Sequence, residues 1–93
     1  MIRSFSSKEA EKIFNRQFSR RLPVDIQGIA RRKLEILEAA EALEDLRRPP
    51  SNHLERLSGD RKNQYSIRIN KKWRIAFTWE NGNAYHVEIV DYH

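Results

Sequence analysis

The chain has 93 residues, with 18 Lys and Arg against 13 Asp and Glu, which gives a formal net charge of +5. This length suits one domain over residues 1–93 and leaves no room for separate cofactor-binding and substrate-binding halves. With 39% hydrophobic and 33% charged residues, the composition is that of a folded protein rather than a disordered segment. The positive charge favours an anionic partner, such as nucleic acid, an acidic protein or a membrane surface.

Several kinds of chemistry are excluded by residue types that are absent or scarce. Zero cysteine removes disulfides, thiol catalysis and cysteine-based zinc sites, and three histidines are few for a metal site. The three glycines lie far apart, which excludes a glycine loop that cradles phosphate. No apolar run approaches the ~18 residues of a membrane span, and no secretory signal pattern follows Met1. We therefore expect a cytoplasmic protein that uses no metal and no cofactor.

The charge is distributed unevenly along the chain. Residues 35–45 contain five acids and no base, whereas residues 47–74 contain nine bases and two acids. Residues 75–93 contain no Lys or Arg. The charge that favours an anion is thus concentrated in the middle of the chain.

The N-terminal half predicts two helices after a short strand at Met1–Phe5. A capping-box pattern with Ser6 as the N-cap begins the first helix, which we expect to end near Phe18. Pro23 suits the first turn of the second helix. Apolar residues then recur at three- and four-residue spacing as far as the Pro49-Pro50 pair, which ends the helix.

After residue 52 the sequence period changes to two, which is typical of strands. Alternation over residues 65–70, 73–80 and 85–90 predicts three antiparallel strands, and residues 54–57 suit a short strand or turn. The predicted fold class is therefore α+β. Two N-terminal helices pack on one face of a mainly antiparallel sheet of four to five strands, and the other face is open.

Hydrophobicity distinguishes two registers for the last hairpin. A two-residue Asn81-Gly82 loop would place Phe77 opposite His86, which mixes apolar and polar residues on one face. A three-residue loop instead pairs apolar residues throughout: Trp79 with Tyr85, Phe77 with Val87, and Ile75 with Ile89. We predict the three-residue loop because it makes the face beneath the helices continuously apolar.

The same pairing of apolar residues in the hairpin before it, Ile69 with Trp73 and Ile67 with Ile75, places Arg68 directly opposite Arg74 on the open face. Val90 and Tyr92 extend the same face on the last strand. Like charges in direct opposition cost a few tenths of a kcal/mol or more. Two interpretations remain open: both guanidinium groups extend into water, or they form a fork that an anion such as phosphate bridges.

Two polar segments carry the remaining candidates for chemistry. Asp91, Tyr92 and His93 continue the last strand beside the arginine face, and histidine is suited to proton transfer at neutral pH. A histidine at this end of a chain is also commonly just solvated, and Tyr92 suits either a plain sheet position or base stacking. Residues 53–61 form the second segment, which fits either an ordinary surface loop or a ligand contact.

Taken in order, five segments of the chain resemble HigB-type toxins, the plasmid-maintenance killer proteins of the RelE/ParE superfamily. They are Ile2-Arg3-Ser4-Phe5, Leu57-Ser58-Gly59-Asp60-Arg61, Tyr65-Ser66-Ile67-Arg68-Ile69, Trp73-Arg74-Ile75 and Asp91-Tyr92-His93. The resemblance implies the toxin component of a type II toxin-antitoxin system. It further implies a metal-independent endoribonuclease that cuts mRNA in the ribosomal A site by attack of the 2′-OH on the adjacent phosphate, and so inhibits translation.

Position by position, the resemblance also implies roles for individual residues. Arg74 would hold the scissile phosphate, and His93 would be the general acid or base. Asp91 would orient the histidine or share its proton transfer, and Tyr92 would stack on a base or assist proton transfer. Further candidates for contact with RNA are Arg68, Arg61, Arg56, His53 and Lys72.

One loop departs from the family pattern. Related toxins often carry Lys or His just before the Gly-Asp-Arg equivalent, where it contributes to catalysis. Here Glu55 and Ser58 stand nearest those positions, with Arg56 between them. We therefore expect a weak toxin unless His53 or Arg56 replaces the missing cation.

The resemblance implies several partners. They are a HigA-type antitoxin with a helix-turn-helix domain, the ribosome and mRNA, with operator DNA reached only through the antitoxin and no membrane. Two other functions fit the charge: a gyrase-inhibiting toxin of the ParE type without nuclease activity, and a non-enzymatic module that binds nucleic acid. The proton-transfer groups at residues 91–93 favour the nuclease, because a gyrase inhibitor needs none.

Overall fold

Residues 1–57 and 63–91 are described by the computed structural model of the protein. In these residues the helices are α1 (Lys8–Phe14), α2 (Val24–Ala39), α3 (Leu43–Arg47) and a 3-10 turn at Pro50–Asn52. The strands are β1 (Glu55–Arg56), β2 (Gln64–Arg68), β3 (Trp73–Glu80) and β4 (Asn83–Asp91), which form one antiparallel sheet in that order. The predicted α+β class is confirmed. No helix in this part of the chain combines the length and apolarity needed to span a bilayer.

Helix α1 begins one residue later and ends earlier than the sequence predicts. Its N-cap is Ser7 rather than Ser6, and the Ser7 Oγ accepts the N–H of Ala10 at 3.2 Å. The helix ends at Phe14 rather than near Phe18, because Arg16 adopts a left-handed backbone with φ of 63° that an α-helix does not accommodate.

The predicted second helix is two helices, so the expectation of two N-terminal helices is wrong. Ala40 is extended, with ψ of 135°, and ends α2. The carboxylate of Asp45 accepts the N–H groups of Glu41 at 2.9 Å and of Ala42 at 3.1 Å, which begins α3. These two hydrogen bonds hold the pKa of the Asp45 carboxyl below its ordinary value. The apolar spacing continues across the break because Ala40 and Leu46 are both buried in the same core.

The hairpin between β3 and β4 has the two-residue turn that the hydrophobic pattern disfavours. Asn81 and Gly82 both have positive φ, 51° and 78°, as a tight Asn-Gly turn requires. A β-bulge at the level of Phe77 then inserts one extra residue into β4. The predicted three-residue loop is therefore wrong. Of the predicted pairs, only Ile75 with Ile89 is present, since Trp79 pairs with Ala84 and Phe77 lies at the bulge.

Residues Met1–Phe5 lie along the outer edge of β4 without forming a continuous strand. They make two isolated parallel bridges, Ile2 with Ala84 and Phe5 with Val87. Beside the bulge, Ser4 Oγ accepts the N–H of His86 at 2.8 Å, and Ser6 Oγ donates to the His86 carbonyl at 3.1 Å. The predicted N-terminal strand is thus present only as bridges that satisfy the backbone of the bulge.

The helices cover one face of the sheet, where the apolar residues of α2 meet those of β2, β3 and β4. The main buried residues are Ile26, Ala30, Leu34 and Leu37 from α2 and Ile67, Ile75, Phe77 and Val87 from the sheet. Residues that pair directly lie on the same face. The other face consequently carries the pairs Ser66 with Ala76 and Arg68 with Arg74, as the sequence predicts for the two arginines.

Two glycines offer a matched test of the tight turn at Asn81-Gly82. Gly82→Ala should destabilise the protein by about 1–2 kcal/mol, because an alanine resists the left-handed backbone. Its Cβ would also lie 3.1 Å from the Glu41 carbonyl oxygen. Gly28→Ala, in an exposed part of α2, should instead stabilise by about 0.5–1 kcal/mol. Urea unfolding measures both, and equal effects for the two variants would contradict the turn geometry.

Candidate active site

Arg74, on β3, is buried although it belongs to the face without helices. It is only 5% exposed. Its Nε donates to Ser66 Oγ at 2.8 Å, and its Nη2 donates to the carbonyl of His53 and, at 3.3 Å, to that of Ser66. Its Nη1 lies 3.9 Å from the carboxylate of Glu55. The guanidinium is therefore held in a fixed orientation by neutral oxygens, with one carboxylate at the limit of ion pairing.

The segment after the 3-10 turn explains this burial. His53 ends the turn with a left-handed backbone, φ of 42°, and its carbonyl accepts a hydrogen bond from Arg74. Pairing of β1 with β2 then places Glu55 opposite Ser66, beside the guanidinium. The interpretation that both arginines extend into water is thus wrong for Arg74. Arg68 is half-buried, and among residues 1–57 and 63–91 no carboxylate lies within 4.0 Å of its guanidinium.

A depression of about 250 Å³ opens beside Arg74. Its lining residues are His53, Glu55, Arg68, Asn70, Lys71 and Arg74. Three of these are cations and one is an acid, so the depression suits a small anion such as a phosphate group.

A larger cleft of about 480 Å³ lies next to it on the open face. Its lining includes Leu57 and the β2 residues Gln64 and Ser66. From β4 it includes His86, Glu88, Val90 and Asp91. The volume is in the range of clefts that bind small organic ligands. His86, Glu88 and Ser66 are not among the site residues predicted from the sequence, although the predicted pairing of Arg68 with Arg74 also places Ser66 on the open face.

Asp91 is positioned differently from Arg74. It pairs with Trp73, one residue away from the pair of Arg74 with Val90, so strand alternation directs its side chain away from that of Arg74, although Asp91 at the end of β4 still lines the larger cleft. Its carboxylate lies 3.6 Å from the Nζ of Lys72. That Nζ also lies 5.8 Å from the centre of the Trp73 ring. Lys72, predicted to contact RNA, therefore has Asp91 as its partner in this structure.

The remaining predicted site residues fall into three groups. His53 and Arg68 share the depression with Arg74. Arg56 pairs with Tyr65, whose side chain belongs to the helix-covered face, so Arg56 lies on the opposite face of the sheet from Arg74. Arg61, Tyr92 and His93, together with Ser58, lie outside the described residues. Within the described part of the chain, no three His, Asp or Glu side chains are grouped in a way that would hold a metal ion.

Comparison with known proteins agrees with the fold. Three helices beside a four-stranded antiparallel sheet are consistent with a RelE-like fold. The model of the family described as "RelE-like toxin of type II toxin-antitoxin system HigB" matches residues 3–93. The chain therefore belongs to the HigB-like toxin family and is the toxin component of a type II toxin-antitoxin system.

Two curated relatives span most or all of the chain. Toxin HigB-1 of Vibrio cholerae serotype O1 is 44% identical over 85 residues, which cover 90% of each chain. Endoribonuclease HigB of Proteus vulgaris is 31% identical over 93 residues, which cover 100% of each chain. The resemblance to HigB-type toxins is thereby confirmed.

The contacts of Arg74 predict a large effect of a conservative substitution. Arg74→Lys keeps the charge but cannot donate to the Ser66 hydroxyl and to the carbonyls of His53 and Ser66 in the same way. It should therefore lower the free energy of unfolding by about 1–3 kcal/mol. Arg68→Lys, at the paired position, should change it by less than about 0.5 kcal/mol. Chemical denaturation of both variants is the measurement. Equal stabilities would contradict the buried network.

Proposed function

We propose that the chain is a cytoplasmic endoribonuclease that cleaves mRNA in the ribosomal A site. The observation that carries this proposal is the buried guanidinium of Arg74, fixed at the edge of a cationic depression on the open sheet face. The relative from Proteus vulgaris that bears the name Endoribonuclease HigB supports the endoribonuclease activity in this proposal. A HigA-type antitoxin with a helix-turn-helix domain would neutralise the toxin.

The reaction would be an intramolecular transfer at phosphorus. The 2′-oxygen of the substrate forms a bond to the adjacent phosphorus, and the bond from phosphorus to the 5′-oxygen breaks. The 2′-OH proton goes to a general base, and a general acid supplies a proton to the leaving 5′-oxygen. The products are a 2′,3′-cyclic phosphate and a 5′-OH, so the step consumes neither water nor a redox partner.

Arg74 would stabilise the extra negative charge that develops on the phosphate oxygens. Donors that are already oriented need no reorganisation as the charge develops, and they are effective where water is excluded. The hydrogen bonds of Arg74 to Ser66 and His53 supply that orientation. His93 would be the acid or base, and Tyr92 would stack on a base or assist proton transfer.

Asp91 would act from the end of β4. Its carboxylate, held near Lys72, would orient His93 two residues further along the chain or share its proton transfer. Lys72 would then act by holding Asp91 rather than by contacting RNA directly.

Glu55 bears on the expected weakness of the toxin. It is half-exposed and lies 3.9 Å from Arg74, so a phosphate that approaches this guanidinium meets a negative charge. The ion pair is long and partly solvated, so its displacement costs little, but the like charge still opposes phosphate binding. Glu55 would thus reduce activity without abolishing it.

Mapping of mRNA 5′ ends after expression tests the nuclease activity. Arg74→Gln and His93→Ala should each lower cleavage at new 5′ ends by about 100-fold or more, because each removes a group that acts in the transition state. Arg20→Gln, which removes one exposed charge that does not line the depression, is the control and should cleave as the parent does.

Growth and DNA supercoiling separate the alternatives. If both site variants remain fully toxic and no new 5′ ends appear, the nuclease proposal fails. Loss of supercoiling in that case would indicate a gyrase inhibitor. Toxicity with neither effect would indicate a non-enzymatic module that binds nucleic acid. Cleavage only when ribosomes are present in a purified reaction would establish the ribosome requirement.

A change at Glu55 tests the explanation for a weak toxin. Glu55→Gln should raise the affinity for single-stranded RNA by about 2- to 5-fold at low salt, because it removes the charge nearest Arg74. Glu80→Gln, exposed at the other end of the sheet, is the matched control. Ser58→Lys should act in the same direction by restoring a loop cation. Unchanged RNA affinity and unchanged toxicity in both Glu55→Gln and Ser58→Lys would refute this explanation.

A further inference from the structure

A second depression continues from the one at Arg74. It has a volume of about 420 Å³ and is lined by Ile29, Lys33, Ser51, His53, Arg68, Ile69 and Asn70. The two depressions share His53, Arg68 and Asn70, so they form one groove at the end of the sheet where β2 turns into β3. We call it the Lys33 groove. It extends from Arg74, past Arg68, to helix α2.

The Lys33 groove is strongly positive. Lys33, Arg68, Lys71 and Arg74 line it, and Glu55 is the one acid among its lining residues. Across the described ranges, 1–57 and 63–91, no carboxylate lies within 4.0 Å of Lys33, Arg68 or Lys71. Three of the four cations that line the groove therefore have no acidic partner within the described ranges.

Lys33 is the unusual member of this group. It is only 9% exposed, and its Nζ donates to Asn52 Oδ1 at 2.7 Å and to Ser51 Oγ at 3.1 Å. An ammonium group has three N–H donors, so these two neutral oxygens leave one donor for whatever occupies the groove. Burial lowers the pKa of Lys33, which shows that the surroundings disfavour its charge. An anion in the groove would favour that charge.

The groove is also preformed. Asn52 is fully buried, and its Nδ2 donates to the Leu46 carbonyl at 3.0 Å, so α3 fixes the acceptor that holds Lys33. On the opposite wall, Asn70 Oδ1 accepts the N–H groups of Lys72 and Trp73, both at 2.8 Å. Fixed donors lose little conformational entropy on binding a ligand.

We propose that the Lys33 groove binds a backbone phosphate of RNA beyond the phosphate held at Arg74. Lys33, Arg68 and the hydroxyl of Ser51 contact its oxygens, and Ile29 and Ile69 offer apolar surface to the neighbouring ribose or base. This assignment rests on the proposed function, because it takes the Arg74 end of the groove as the cleavage site. An RNA strand fits better than an acidic peptide, since the groove is continuous with a phosphate-sized depression at Arg74.

Binding of short RNAs of increasing length tests the proposal without requiring cleavage. The probes are single-stranded oligonucleotides from two to about eight nucleotides, with a 2′-deoxy sugar at the scissile position. The parent protein should show a step in affinity once the strand is long enough to reach the groove. Lys33→Met should reduce that step about 10-fold and leave the shortest probe unaffected, whereas Arg68→Gln, at the wall of both depressions, should reduce the step and also weaken binding of the shortest probe. Each should also lower the slope of log affinity against log salt by about 0.7.

Arg32→Gln is the matched control, since it removes an exposed charge from the adjacent position on α2. It should retain the step. Thermal unfolding of Lys33→Met separates folding from binding, because Lys33 also connects α2 to the 3-10 turn. If Lys33→Met melts at a lower temperature, and both it and Arg68→Gln retain the step and bind mRNA-free ribosomes as the parent does, the groove is structural and the proposal is overturned.

A second arm identifies the source of the phosphate. If the variants bind oligonucleotides normally but bind mRNA-free ribosomes about 10-fold more weakly, the groove takes a phosphate of ribosomal RNA. A polyglutamate peptide that competes as well as RNA of equal charge would overturn the assignment to RNA. Every readout here is binding, so the two proposals can fail separately. A retained step with unchanged ribosome binding in Lys33→Met overturns this proposal even if the parent protein cleaves RNA. Absence of cleavage by the parent protein overturns the nuclease proposal even if the step is lost in the variant.

Discussion

The hydrogen bonding of one buried guanidinium connects the fold of this protein to its candidate chemistry. Arg74 lies on the sheet face that no helix covers, yet it is almost completely removed from water. An unpaired charge in that position would be costly, so the Ser66 side chain and the backbone carbonyls of His53 and Ser66 are required as acceptors. The 3-10 turn, the left-handed backbone of His53 and the short β1 strand can all be understood as the means of supplying them.

This requirement also explains how two arginines are tolerated in direct opposition. Arg68 and Arg74 pair across β2 and β3, which costs energy when both charges share the same medium. Here the two differ in environment, since Arg74 is buried among oxygens while Arg68 is half-buried at the wall of two depressions. The repulsion that remains would favour binding of an anion, because a phosphate between the two cations would relieve it.

The sequence predicts those features that depend on alternation and charge, and it fails where backbone conformation decides. Period-two patterns located β2 and β3 within a residue or two and placed Arg68 opposite Arg74 correctly. The predicted register of the last hairpin is wrong because a bulge at His86 changes the pairing partway along β4. Apolar pairing alone does not reveal a bulge. The prediction of one long second helix is wrong because the Asp45 carboxylate accepts backbone N–H groups between α2 and α3. This break does not interrupt the apolar spacing of the sequence. Burial of Arg74 was not predictable, because it depends on carbonyl oxygens that every sequence contains.

The contacts between the first and last segments of the chain have a consequence for synthesis. Ser4 and Ser6 hold the β4 bulge through bonds that join residues 82 and 80 positions apart. Contacts between residues so far apart in the sequence form late in folding, because the entropic cost of closing the intervening loop is large. During translation, the edge of the sheet beside Met1–Phe5 cannot be completed until β4 has left the ribosome. Completion of this edge would therefore be a late step in the folding of the toxin.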